Sequence, residues 1–151
     1  MRCTSRIVAA LTLLAVASLL FPAAGLAQGK KKGEEILKVD GKLTSEDAKD
    51  KVRTSCHHKV HTIKLEQDAT YVVDLVSDDF DAYLRLENSE EKEVAKDDDK
   101  GGDFNARIVF RPPQADTYRI IVTTFGRGET GRYKLIVTRQ PDDKGKDKQK
   151  Q

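Results

Sequence analysis

Residues 74–110 read DLVSDDFDAYLRLENSEEKEVAKDDDKGGDFNARIVF, and their period decides the fold. Ala82, Leu84 and Leu86 fall on one side while Tyr83, Arg85 and Glu87 fall on the other, the two-residue alternation of a half-buried strand. Ala106, Ile108 and Phe110 alternate in the same way with Arg107, Val109 and Arg111, and residues 93–96 allow one brief strand between them. Two acid-rich turns, SDDFD at 77–81 and DDDKGGD at 97–103, separate these segments. Residues 74–103 hold twelve Asp or Glu against four Lys or Arg. Carboxylates gathered in turns between strands form either a solvated rim or a cation site.

The same period continues outward. His61, Ile63 and Leu65 alternate with Thr62 and Lys64; Tyr71, Val73 and Leu75 alternate with Val72, Asp74 and Val76. Pro112-Pro113 stops the strand at 106–111, because proline cannot donate to a ladder. Tyr118, Ile120, Val122 and Thr124 give the next inward face, and Tyr133, Leu135 and Val137 complete the set. Asp40-Gly41, between the short apolar groups of residues 36–43, is a hairpin-turn signal. Residues 44–53 carry a Thr/Ser cap followed by acids, the start of a short surface turn of helical type. Seven or eight short strands with no amphipathic helix predict an all-β, antiparallel β-sandwich.

The ends read differently. Arg2 and Arg6 precede an apolar run from Ile7 to Ala24, and Gly25-Leu26-Ala27 supplies small residues, the pattern of a secretory signal peptide at 1–27. The run approaches spanning length, but cleavage after Ala27 leaves no membrane span. Residues 28–35 read as a flexible leader, 36–139 as the domain, and 140–151 as a charged, disordered tail. Cleavage removes two arginines and no acid, which leaves 25 basic and 25 acidic residues. A nucleic-acid binder carries a basic surplus, so nucleic acid is excluded as the expected partner. Basic charge gathers instead in residues 104–139, as a complement to the acidic stretch across a sheet. Cys56 alone remains after cleavage, so no intrachain disulfide is available.

The order and spacing of four elements resemble the bacterial pre-peptidase C-terminal (PPC) domain. They are a Ser-x-x-x-Asp turn leading into Tyr-Leu-x-Leu (77–86), an acidic turn (97–103), a Thr-Tyr-x-Ile-x-Val strand (117–122) and a closing Thr-Gly-x-Tyr-x-Leu-x-Val strand (130–137). The likeness covers about residues 60–138. Residues 89–92 lack the glycine usual in that turn, and Asp116 stands where a glycine often precedes Thr-Tyr. The resemblance implies a jelly-roll-like sandwich in an exported protein. It also implies an accessory role beside peptidases or other enzymes, binding to extracellular protein or polysaccharide, and stabilisation by calcium. With no catalytic domain in this sequence, such a module acts by itself or on an exported peptidase in trans.

Calcium takes six to eight oxygen ligands, and Asp79, Asp81, Asp97, Asp98, Asp99 and Asp103 are the candidates. The alternative is that both turns are solvated, with lysines and arginines as counter-ions. Cys56, His57, His58 and His61 form a second cluster, of transition-metal type. On a strand His57 and His61 would share one face and Cys56 and His58 the other, a poor geometry for one tetrahedral ion. The sequence has no nucleophile elbow, no HExxH and no phosphate-cradling loop. Asp79 and Asp81 are the one carboxylate pair a small hydrolase could use. Four aromatics, Phe80, Tyr83, Phe104 and Phe125, lie outside the inward stripes; Phe80 and Phe104 are expected to cap the sandwich ends. The expected function is therefore a non-catalytic binding or accessory module that recognises a protein or polysaccharide at the cell envelope or outside the cell. A small hydrolase and a purely structural envelope component are the alternatives.

Overall fold

Eight strands follow one another along the computed structural model, which describes residues 32–141. They are β1 (Glu34–Leu43), β2 (Lys59–Leu65), β3 (Tyr71–Val76), β4 (Ala82–Glu87), β5 (Glu93–Asp97), β6 (Ala106–Phe110), β7 (Asp116–Thr124) and β8 (Gly131–Arg139). They form two four-stranded antiparallel sheets, ordered β1-β8-β3-β6 and β2-β7-β4-β5. The signal-peptide assignment and residues 142–151 of the tail lie outside the described residues.

The alternating residues meet between the sheets. Val73, Leu75, Leu135 and Val137 from one sheet and Leu84, Leu86, Ile120 and Val122 from the other are fully buried in a single core. Each such side chain contributes about 1.5–3 kcal/mol by leaving water. One polar contact also crosses this interior, where His61 Nε2 lies 2.9 Å from the Tyr133 hydroxyl. Burial pushes the Tyr133 hydroxyl up to about 12, with the nearby Asp47 charge adding to the effect.

Three expectations need correction. Asp40-Gly41 is not a hairpin turn; β1 runs straight through it, pairing Gly41 with Tyr133. A Cβ on Gly41 would lie 2.3 Å from the Tyr133 ring, so the glycine makes room for a cross-strand aromatic. β1 also takes in Glu34 and Glu35, which the sequence assigned to the leader. Finally, residues 44–53 are more than a short surface turn: with residues 54–58 they form a loop that packs on the fold. Thr44 and Asp47 close a turn by reciprocal hydrogen bonds, from Thr44 N to Asp47 Oδ2 (2.7 Å) and from Asp47 N to Thr44 O (3.3 Å). The rest lies over the outer face of the β2-β7-β4-β5 sheet.

That covering explains the burial of Arg85, which lies on the outward side of β4. Its guanidinium is 2.5 Å from Asp50 Oδ2 and 3.0 Å from Glu87 Oε1, and the Arg85 and Asp50 side chains are 3% and 0% exposed. Asp50 Oδ1 accepts from Val52 N and Arg53 N. Burial pushes the Asp50 carboxyl up, but these donors and Arg85 outweigh it and hold the group below its ordinary value. Thr123 Oγ1 donates to His57 O at 2.7 Å and pins the loop from beneath. By contrast, the outer face of the β1-β8-β3-β6 sheet leaves Val109 64% exposed.

Candidate recognition site at one end of the sandwich

Antiparallel pairing brings three connections out at one end. Val76, Ala106 and Gly131 end or begin neighbouring strands of one sheet, and Ala82, Thr124 and Asp97 do so in the other. The turns 77–81, 98–105 and 125–130 therefore emerge together, beside residues 44–58. Hydrogen bonds fix them to one another. Ala82 N donates to Phe104 O (2.9 Å), Phe125 N to Asp81 O (2.8 Å) and Gly128 N to Ser55 O (3.1 Å). Ser77 Oγ donates to Arg132 O at 2.9 Å.

Arg53 is the clamp that the sequence did not reveal. Its guanidinium lies 4.5 Å from the Tyr83 ring centroid and 4.9 Å from that of Phe125, within cation–π range. Its Nε donates to Thr124 O at 3.0 Å, and one of its amino groups donates to Phe125 O. Phe125 is thereby held while remaining 48% exposed. Val52, beside Arg53, is 60% exposed.

Phe80 caps the core at 6% exposure, as expected; Phe104 does not, and stands 67% exposed. The reason is in the backbone. Asp103 and Phe104 both adopt left-handed conformations, φ 51° and 64°, with Phe104 O bound to Ala82 N and the ring in solvent. A bulky residue in that region is strained, and such strain clusters at functional sites. Phe104 walls an open hollow of about 460 Å³ that Asp78, Asp81 and Asp103 also line.

The acidic residues of the turns divide into two groups. Asp79 Oδ2 accepts from Arg132 N (2.7 Å) and Nε (3.3 Å), which holds its carboxyl below the usual range. Asp97 is buried, and accepts from Lys100 N, Lys100 Nζ and Arg107 N. These bonds outweigh its burial and lower its pKa. Asp79 thus ties its turn to β8, and Asp97 ties the following turn to itself and to β6. Asp81 is the opposite case: burial first, then the charges of Asp99, Glu129 and Asp98, push its carboxyl up. Its Oδ1 is buried without a hydrogen-bond partner. Of the six calcium candidates, Asp79 and Asp97 are thus occupied by protein donors, and Asp103 is exposed. Asp81, Asp98 and Asp99 share one field with Glu129, which the sequence reading had not included.

The four-residue transition-metal set is spread over separate contacts. Cys56 is buried and its Sγ donates to Gly126 O at 3.2 Å. His57 sits between Asp47 O (2.7 Å) and Lys49 Nζ (2.8 Å), His58 reaches Ala48 O (3.0 Å), and His61 faces Tyr133. Among the described residues, no three His, Cys, Asp or Glu side chains converge closely enough to hold a metal ion as placed. The Ser77 hydroxyl donates to Arg132 O and accepts from the amides of Asp79 and Phe80.

No protein-family model and no curated protein matches the sequence. Among solved structures, the pre-peptidase C-terminal domain of a collagenase from Bacillus anthracis matches at TM-score 0.52 and 16% identity, over 70% of this chain and 90% of that domain. The chain has the fold of a PPC domain. PliG of Aeromonas hydrophila, a periplasmic inhibitor of g-type lysozyme, matches at the same TM-score and identity, over 75% of this chain and 92% of its own. At these identities the likeness is one of fold, and the PPC-like sandwich is what it establishes. Among the described residues no helix is long and apolar enough to cross a membrane.

Proposed function

We propose that this chain is an exported, non-catalytic module that recognises a protein at the cell envelope or outside the cell through its loop end. The observation that carries the reading is the joint presentation of Phe104, Phe125 and Val52 on three hydrogen-bonded loops of one end. Binding residues concentrate on loops held by a rigid scaffold, and exposed aromatic side chains are the usual anchors of protein interfaces. The two structural neighbours, a domain of a collagenase and an inhibitor protein, support a module that serves or restrains an enzyme. A protein partner, such as an exported peptidase or a lysozyme, is preferred to polysaccharide on the strength of the second neighbour. The sequence pattern of residues 1–27 supports export.

Calcium enters this reading as a stabiliser of the loop end, held by Asp81, Asp98, Asp99 and Glu129. Asp81 is where a cation would relieve a carboxylate already penalised by burial and like charge. Binding requires the 98–99 turn to close on Asp81. Thermal unfolding separates the outcomes: calcium should raise Tm in the wild type and not in Asp81→Asn, and an unmoved wild-type Tm would end the calcium proposal.

The test of the recognition reading is quantitative capture from the envelope fraction of the producing cells, with a g-type lysozyme as the first defined candidate. The partner should be retained by Val109→Ser and lost by Phe104→Ser. Equal retention by both variants contradicts the reading. Turnover of peptide or glycan that disappears in Asp79→Asn would establish a hydrolase instead.

A further inference from the structure

The apolar anchor Phe104 stands in an unusual electrical setting. The hollow beside it is lined by Asp78, Asp81 and Asp103. Among the described residues none of these three is ion-paired, whereas Asp79, at the same hollow, is taken by Arg132. Asp81 also keeps Oδ1 buried without a donor.

We propose that the hollow beside Phe104 takes an arginine or lysine side chain of the partner protein, with the cation against the Phe104 ring and the carboxylates of Asp78 and Asp103 at its rim. This rests on the loop end being the recognition surface, and it commits the partner to a basic patch. An exposed ring attracts a cation through its negative face, and carboxylates that flank the ring add charge-assisted hydrogen bonds. An acidic partner surface would meet like charges here, and a purely apolar one would strip water from carboxylates with nothing to pair them, a costly outcome. A volume of about 460 Å³ is ample for one guanidinium-bearing side chain.

The experiment is a titration of the isotope-labelled secreted chain, in calcium-free buffer, with tetra-arginine amide and with tetra-glutamate. Tetra-arginine should shift the amides of residues 77–81 and 103–105, tetra-glutamate should not, and Phe104→Ser should weaken the arginine peptide about threefold to thirtyfold. Shifts spread evenly over the acidic surface, or undiminished in Phe104→Ser, overturn the proposal. Capture of the cellular partner distinguishes the two levels. Loss in Phe104→Ser but not in the Asp78→Asn, Asp103→Asn double variant, with no dependence on salt, removes the cationic side chain and leaves the recognition reading standing. Capture unaffected by either variant removes both.

Discussion

Asp50, Arg85 and Asp81 show how differently a carboxylate or its partner behaves according to what surrounds it. Arg85 and Asp50 neutralise one another under the 44–58 loop, so Asp50→Ala leaves a buried guanidinium short of its closest partner. That substitution should cost about 3–5 kcal/mol in denaturant unfolding. Asp50 and Asp97 titrate below the ordinary 3.8 in the folded chain. Their contribution is complete above that value and is lost as pH falls through the lowered ones. Asp81 has the reverse sign: its raised value means a contribution present below 3.8 and lost as pH rises through the folded pKa. In the absence of calcium, Asp81→Asn should therefore raise Tm at neutral pH and leave it unchanged in acid. A Tm gain of equal size at both pH values would show that the like-charge account of Asp81 is wrong. Phe104→Gly belongs at this scale too. Removing the Cβ at φ 64° relieves left-handed strain of about 1–2 kcal/mol. Stability should not fall, in contrast to the roughly 3–5 kcal/mol lost when a packed phenylalanine is truncated.

At the scale of elements, seven of the eight strands were legible because inward apolar residues recur along each with a period of two, even in β4, where the outward Arg85 and Glu87 are buried as well. β1 was misread, since Asp40-Gly41 is a turn signal only where the chain has no better use for it. Here the glycine lies opposite Tyr133, whose ring occupies the space a side chain would need. Gly41→Val should lower Tm through that clash, with Tyr133→Ala in the same chain restoring part of the loss. The 44–58 loop was illegible for a related reason. Residues 44–53 read as a surface turn and Cys56 and His57 as part of a metal-type cluster, but Asp50, His57 and Cys56 are buried by pairing with groups distant in sequence, Arg85, Thr123 and Gly126. Local pattern carries no record of such partners. The acidic turns were visible at once, yet which carboxylates were already occupied depended on Arg132, Lys100 and Arg107, and so on the fold.

At the scale of the molecule, the described residues give the sandwich one face covered by a loop, one face on which Val109 is exposed, and a loop end. The β2-β7-β4-β5 sheet is covered by residues 44–58, whose arginine also clamps Tyr83 and Phe125. Stability of that cover and presentation of Phe125 are therefore coupled, and Arg53→Ala should weaken both. From the sequence Phe104 reads as a cap of the sandwich end; its left-handed backbone, with Phe104 O bound to Ala82 N, puts the ring in solvent instead. The central claim is that the loop end is the surface that meets another protein. It is tested most directly by placing a photo-crosslinking benzoylphenylalanine at position 104, 125 or 109 of the chain in the cells that produce it. One discrete protein adduct from positions 104 and 125, absent from 109, is the expected result. Adducts from position 109 alone, or none from the loop end, would contradict it.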